Sequence, residues 1–183
     1  MKTRGSGSGV LAAATVVTGL IAGVYYAFAC SVMLGLGASS DRTFIEAMQN
    51  INKKIENPVF FLTFFGALVL SAWALRTYRH DRRLRLWIAA GLVLYTIGLL
   101  TTMAVNVPLN NQLADAGAAA KIADPAAVRA RFEDTWNAWN IARALLSTGA
   151  AACLARALLL AGRRGDAPQP QAAPARQRMW SAV

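Results

Sequence analysis

The chain has 183 residues, of which 56% are hydrophobic and 15% are charged, and its net charge is +10 at pH 7. With a mean hydropathy of +0.37, it carries too little charge to cover the surface of a soluble domain of this length. Three of its long apolar runs hold no charged residue and would have no solvated face in a soluble bundle, so the composition indicates an integral membrane protein.

Four apolar segments are candidate transmembrane helices, each of which needs about 20 residues. The first runs from about Gly9 to Leu36. It is too long for the core of a signal peptide and lacks a clean cleavage site, so we expect it to be retained. The other three run from about Pro58 to Leu75, Leu86 to Val107 and Trp139 to Ala161. The predicted fold is an all-α, integral membrane four-helix bundle.

A short amphipathic helix is predicted between the first and second spans, over Asp41–Glu56. Its apolar residues recur at steps of four, three and four, as on one helical face; they are Phe44, Met48, Ile51 and Ile55. Asn57 should end this helix, because a residue before proline avoids the helical region, and Pro58 suits the first turn of the next. We expect the stripe to pack against the ends of the spans. An interfacial helix with solvated polar residues fits the same pattern.

Charge is distributed alternately along the chain. Basic residues cluster between the second and third spans and towards both chain ends, whereas the other two connections balance acidic and basic residues. The positive-inside rule then places both termini in the cytoplasm, with the protein in the cytoplasmic membrane. Since topology and anionic lipid explain the basic clusters, no nucleic-acid partner is expected. One transmembrane domain (residues 9–161) is predicted, between a flexible N-terminus (1–8) and a disordered cytoplasmic tail (162–183).

The third span is predicted to stop near Pro108, which removes a donor and disturbs the last helical turn. Asn106 and Asn110 flank this proline. They either cap an ordinary helix end or join a functional group, because several asparagines map to the same end of the bundle.

The fourth span begins with aromatic and polar residues on one predicted face. Trp136, Trp139, Asn140 and Arg143 follow the spacing i, i+3, i+4 and i+7. A guanidinium within a spanning segment is costly and is usually paired or functional. Two roles remain open for Arg143 at this point, namely a structural pairing role and stabilisation of an anion in a pocket.

Sequence patterns for metal binding are missing. His80 is the only histidine and lies in the arginine-rich connection, while Cys30 and Cys153 lie in apolar segments. We interpret both cysteines as small buried hydrophobes. Because no histidine, cysteine and carboxylate cluster occurs, we expect no protein-bound zinc, iron or copper.

Four stretches in this order resemble the anthrone oxygenase-like family of small four-helix membrane proteins, over about Gly9 to Leu160. They are FACSVMLG (Phe28–Gly35), MQNINKKIENP (Met48–Pro58), NVPLNNQL (Asn106–Leu113) and WNAWNIAR (Trp136–Arg143). The chain departs from the family at two positions. Leu34 stands where the family often has proline, and Ile141 stands where it often has histidine. Any role of that histidine is not open to this chain.

The resemblance implies a cofactor-independent monooxygenase. Its substrate would be an anthrone-like or other electron-rich polycyclic phenol, as in aromatic polyketide biosynthesis, with molecular oxygen as co-substrate and membrane lipid as surroundings. Oxyanion donors and a base would act on an aromatic ligand; the candidate catalytic residues are Arg143, Asn106, Asn110, Asn140 and Glu56. Stacking and polar contacts would bind it; the candidate substrate-binding residues are Trp136, Trp139, Tyr25, Phe28, Gln49 and Asn52.

The same residues also fit a protein without enzymatic activity. Such a protein would bind a lipid or a hydrophobic metabolite, or serve as an assembly partner, and the sequence leaves a homo-oligomer open. The Asn, Trp and Arg cluster would then be a polar network that fixes helix packing. A pocket lined by Arg143 and the asparagines favours the enzyme, whereas a fully packed and fully hydrogen-bonded cluster favours the structural role.

Reporter fusions test the predicted topology. Fusions after Asp81 and after Asp115 should report opposite sides of the membrane, because the arginine-rich connection stays in the cytoplasm. Activity of an alkaline phosphatase fusion and fluorescence of a green fluorescent protein fusion would measure this. Two fusions on the same side would contradict the four-span topology.

Overall fold

The structure of the chain is a computed structural model that describes residues 3–165, with side chains described for residues 7–163. Within this range the chain is helical, with short connections and no strand, so the predicted all-α fold is confirmed. In chain order its elements are α1 (Thr3–Ala27), a first π segment (Phe28–Val32), α2 (Met33–Gly37), α3 (Asp41–Ile55), α4 (Pro58–Thr77), α5 (Arg82–Thr101), a second π segment (Thr102–Asn106), α6 (Val107–Asp115), a 3₁₀ turn (Ala119–Lys121) and α7 (Pro125–Gly165).

Four helical stretches are long and apolar enough to cross a membrane, as predicted: Gly7–Gly37, Pro58–Thr77, Arg82–Asp115 and Pro125–Arg163. They form a ring in which each span packs against its sequence neighbours and α7 returns to α1. The outside of the ring is an apolar belt. Its members are more than half exposed and include Leu20, Leu62, Val69, Leu100 and Leu145. A contiguous apolar surface of this kind is stable in lipid but not in water.

The first span begins earlier than its sequence suggests. α1 starts at Thr3 rather than Gly9, and at Gly7 it packs on the end of α4. A Cβ on Gly7 would lie 3.0 Å from Thr77 Cγ2. Beyond the fourth span, helix α7 continues to Gly165. Of the segments predicted to be flexible or disordered, residues 1–2 and 166–183 lie outside the described residues.

Pro108 does not end the third span, in contrast to the prediction. The helix widens into the second π segment, where the Val107 N–H donates to the Thr102 carbonyl five residues earlier. It then continues as α6 to Asp115. A proline ring crowds the carbonyl four residues before it in a regular helix. The wider turn lies at that place and gives the ring room, so the helix continues instead of stopping.

α3 lies across one end of the ring, and we call it the lid and this end the lid end. Its apolar face packs on the ends of the spans, as predicted. Phe44, Ile45 and Met48 are fully buried there, and Ile51 and Ile55 are half-buried. The recurrence of apolar residues on one face of the lid therefore reflects packing on the bundle. The lid is not a helix at a free interface.

Polar side chains cap the lid and the helix that follows it. Ser40 accepts a hydrogen bond from the Thr43 N–H at the start of α3. Asn57 accepts two backbone N–H groups in the first turn of α4, where Pro58 lies. The predicted break at Asn57–Pro58 is thus confirmed, since one residue ends the lid and caps the next span.

Arg129 of α7 fixes the first turn of the lid. It donates to the Asp41 carboxylate at 3.1 Å and to the carbonyls of Ser39 and Gly37 at 3.0 and 2.8 Å. The guanidinium carbon also lies 4.6 Å from the centre of the Phe44 ring. One side chain therefore joins α2, the lid and α7.

Cysteine labelling tests the position of the lid. In a variant with Cys30 and Cys153 replaced by alanine, Met48→Cys should react slowly with a water-soluble maleimide and Lys53→Cys rapidly. Met48 is fully buried, whereas Lys53 is exposed. Equal, rapid labelling of both cysteines would show that the lid does not pack on the spans.

Candidate active site

A cavity of about 310 Å³ lies inside the ring beneath the lid. This volume is at the small end of the range for clefts that hold small organic molecules. All four spans and the lid contribute to the wall. The lining residues are Val24, Tyr25, Phe28, Ile51, Asn52, Ile55, Glu56, Phe60, Phe61, Phe64, Phe65, Thr102, Met103, Val107, Asn110, Trp136, Asn140 and Arg143.

Arg143 places a positive charge on the wall of this cavity, and its side chain is 4% exposed. Nη2 donates to Asn140 Oδ1 at 3.1 Å, and Nη1 donates to Thr102 Oγ1 at 3.3 Å. The guanidinium carbon lies 4.4 Å from the ring centre of Tyr25 and 5.5 Å from that of Trp136. The two rings replace part of the lost hydration through cation–π contacts.

Two hydrogen-bond donors on the cavity wall have no partner among the described residues. They are Arg143 Nε and Asn52 Nδ2, and both atoms are buried. Among the described residues, the ion pairs join Arg129 to Asp41 and to Glu133, so no carboxylate neutralises Arg143. Buried donors without partners are rare because they are costly. Here they share one cavity, which therefore suits a ligand with an anionic or accepting oxygen.

Asn140 positions the guanidinium. It is fully buried, and its Nδ2 donates to the Tyr25 carbonyl at 3.1 Å while its Oδ1 accepts from Arg143. The amide thereby ties α7 to α1. Both of its ends are used within the chain, so Asn140 lines the cavity mainly as a support for Arg143.

Trp136 and two asparagines fasten the third span to the fourth. Trp136 Nε1 donates to Asn110 Oδ1 at 2.7 Å, and Asn106 Nδ2 donates to the Trp136 carbonyl at 3.2 Å. Asn106 is 1% exposed and is not among the lining residues. The structure therefore does not bring Asn106 to the cavity with the other predicted catalytic residues, since its amide donates to α7.

Aromatic rings form much of the remaining wall. Phe28 and Trp136 have ring centres 5.7 Å apart. On the opposite side, α4 adds four phenylalanines, none of which is among the site residues predicted from the sequence. Their spacing i, i+1, i+4 and i+5 places them on one helical face, a pattern that could have identified them; they are Phe60, Phe61, Phe64 and Phe65.

Two predicted substrate-binding residues lie outside the cavity. Gln49 Nε2 donates to the carbonyls of Leu113 and Gly117 at 2.8 and 2.9 Å, which holds the lid on the end of α6. Trp139 is 43% exposed on the apolar belt. Three residues along a helix correspond to a rotation of about 300°, so Trp139 lies about 60° from Trp136 and turns towards lipid.

The arrangement can hold a flat apolar molecule whose oxygen contacts Arg143. Tyr25, Phe28 and Trp136 can contact its rings. Of the carboxylates in the described part of the chain, only Glu56 lines the cavity, and it lies at an exposed point of the cavity edge. No group of three or more His, Cys, Asp or Glu side chains within the described range is placed to hold a metal ion.

Comparison with known protein families gives a match. The family profile described as anthrone oxygenase matches residues 47–153, more than half of the 183-residue chain. The matched region contains the second half of the lid, α4, the third span and the part of α7 that carries Arg143. No curated protein and no solved structure matches the chain.

The two tryptophans of α7 make a matched test of the site. Trp136→Phe keeps an aromatic side chain but removes part of a buried ring and leaves Asn110 Oδ1 without its donor. We therefore expect the free energy of unfolding to fall by more than about 0.6 kcal/mol, the value of a typical interhelical hydrogen bond in a membrane protein. Trp139→Phe should have no measurable effect, because Trp139 faces lipid. Unfolding in mixed micelles measures both. An equal loss in the two variants would contradict the assignment.

Proposed function

Because the chain belongs to the anthrone oxygenase family, we propose that it is a membrane-embedded oxygenase that oxidises an electron-rich polycyclic phenol, anthrone-like in structure, with molecular oxygen and without a bound cofactor. Family membership supports an oxygenase-like activity in general. The substrate class and the roles of individual residues are proposed from the chemistry of the cavity.

The observation that carries the proposal is the unneutralised guanidinium of Arg143 on the wall of an aromatic cavity. A neutral apolar ligand would leave its charge and its Nε without a partner. A phenolate or enolate oxygen would satisfy both. Fixed donors in a water-poor site stabilise a developing anion more strongly than water does, because they are already oriented.

The proposed reaction needs no external reductant. An anthrone loses a proton from the CH₂ group between its aromatic rings, and the negative charge spreads to the carbonyl oxygen. The anion gives one electron to O₂, and the resulting radical pair combines to a peroxide. Protonation and loss of water, with departure of the second C–H proton, leave a carbonyl. Overall CH₂ and O₂ become C=O and H₂O, and the substrate supplies all four electrons.

The residues of the site divide between binding and support. Arg143 would bind the oxygen that becomes anionic when the proton leaves, while Asn140 and Thr102 hold the guanidinium towards it. Asn110 fixes the Trp136 ring, which would stack on the substrate. Arg143 alone would then contact the oxyanion directly, and the surrounding amides would position the groups of the site.

Glu56 is the proposed base, since it is the carboxylate of the cavity rim and can pass a proton to water. A substrate acidic enough to ionise unaided would not need it. Ile141, where family members often have histidine, is 43% exposed and does not line the cavity. That departure therefore leaves the proposed site of this chain intact.

The structural alternative explains part of the same cluster. Asn106, Asn140 and Gln49 do fasten helices to one another, as a packing network would. It does not account for the cavity or for the unpartnered donors of Arg143 and Asn52. The combination favours a ligand at the lid end, with the asparagine network as its support.

We also propose that both termini and the arginine-rich connection face the cytoplasm. The lid end would then lie on the opposite side of the cytoplasmic membrane. The alternation of basic and balanced connections supports this orientation.

Substitution of Arg143 tests the function. Arg143→Lys keeps the charge but loses the planar fork that reaches Asn140 and Thr102, and Arg143→Ala removes both. We expect each to lower turnover of 1,8-dihydroxyanthrone on the order of a hundredfold or more, as for the loss of a preorganised donor elsewhere. Quinone formation and oxygen uptake in proteoliposomes measure this.

Arg131→Ala is the matched control for this experiment. Arg131 is an exposed arginine on the same helix and is not among the cavity-lining residues, so its loss should leave turnover unchanged. Near-normal turnover in both Arg143 variants, with correct insertion, would make Arg143 structural and end the proposed mechanism.

A further inference from the structure

We propose that the cavity takes its ligand directly from the bilayer, through a lateral opening between α4 and the second π segment. The ligand class is a neutral, weakly acidic polycyclic phenol dissolved in lipid. This identification of the ligand rests on the proposed function, whereas the opening rests on the geometry of the ring.

The rim of the lateral opening consists of Phe61, Phe65 and Met103. All three line the cavity, and yet their exposed fractions are 42%, 44% and 52%. Side chains that belong both to a cavity wall and to the outer surface mark a place where the wall is thin or open. Lipid therefore reaches the same side chains that a ligand in the cavity would contact.

The depth of this rim places it in the hydrocarbon region. α4 has 20 residues, which gives a length of about 30 Å, the thickness of the hydrocarbon core. Phe61 and Phe65 follow Pro58 by three and seven residues, so they lie about 5 and 10 Å from the lid end of this helix. An opening at that depth faces acyl chains rather than water.

The route from water is less suitable for an apolar molecule. The lid covers that end, with Ile51 and Ile55 over the cavity and its first turn fixed by Arg129. The charged residue Glu56 is exposed at that end. A hydrophobic phenol would have to leave the bilayer to pass it, whereas the lateral route keeps the molecule in an apolar environment throughout.

The charge arrangement fits a ligand that enters neutral and ionises inside. An anion is costly to move through hydrocarbon, and the rim side chains offer it no partner. Arg143 lies deeper in the wall, where it can stabilise the oxygen after the proton has left. Lateral entry and the buried guanidinium therefore select the same compound class, a phenol that is neutral in lipid and anionic in the site.

Narrowing the rim tests the proposal. In proteoliposomes of the full chain, 1,8-dihydroxyanthraquinone serves as an unreactive probe whose own fluorescence reports binding. Phe65→Trp and Met103→Trp should slow its association about tenfold or more, and Met103→Ala should not slow it. Val69→Trp and Leu100→Trp are matched controls on the same two helices; both residues are lipid-exposed and neither lines the cavity, so association should be unchanged.

Three results would overturn lateral entry. In the first, the Phe65→Trp and Met103→Trp variants bind the probe as fast as the controls. In the second, only Glu56→Trp slows association of the probe. In the third, no form binds the probe, as expected if acyl chains are the only occupants. Turnover of 1,8-dihydroxyanthrone is measured in parallel. If the rim variants bind the probe slowly but the unsubstituted chain shows no turnover, the opening is supported and the oxygenase is rejected. If the chain turns over its substrate but the rim variants bind the probe at the normal rate, only the opening is rejected.

Discussion

A guanidinium held within a transmembrane ring, with no carboxylate beside it, is the constraint on which the lid end of this protein depends. A charge in a spanning helix is expensive unless other groups replace its hydration. Tyr25 and Trp136 do so with their ring faces, and Asn140 and Thr102 do so with oxygens. The compensation is incomplete, because Nε has no partner among the described residues. The anionic ligand that we propose for the cavity follows from this incompleteness.

Departures from regular helix build the wall around this charge. Both π segments contribute lining residues, Phe28 from the first and Thr102 with Met103 from the second. A π turn holds one more residue than an α turn and so rotates everything that follows it. In the third span this rotation lets Thr102 contact Arg143 while Asn106 contacts α7. Such turns are frequent at functional sites for the same reason.

The two ends of the ring differ in packing, which suits a rigid frame with an open site. Away from the lid, small residues allow close contact between helices. A Cβ on Gly91 would lie 3.1 Å from the Ala150 carbonyl and from Leu154 Cγ. At the lid end, larger aromatic residues line the cavity between the helices. The close-packed half fixes the helix positions on which the geometry of Arg143 depends.

The sequence by itself determined the four spans, the lid and the convergence of the polar motifs, because hydropathy and helical periodicity are local properties of the chain. Only the tertiary structure decided which polar side chains face the cavity. Asn106, Gln49 and Trp139 share faces or ends with the true lining residues, and a helical pattern cannot resolve a rotation of about 60°. Partners on neighbouring helices and the π turn before Pro108 set that rotation, and both depend on contacts between distant parts of the chain.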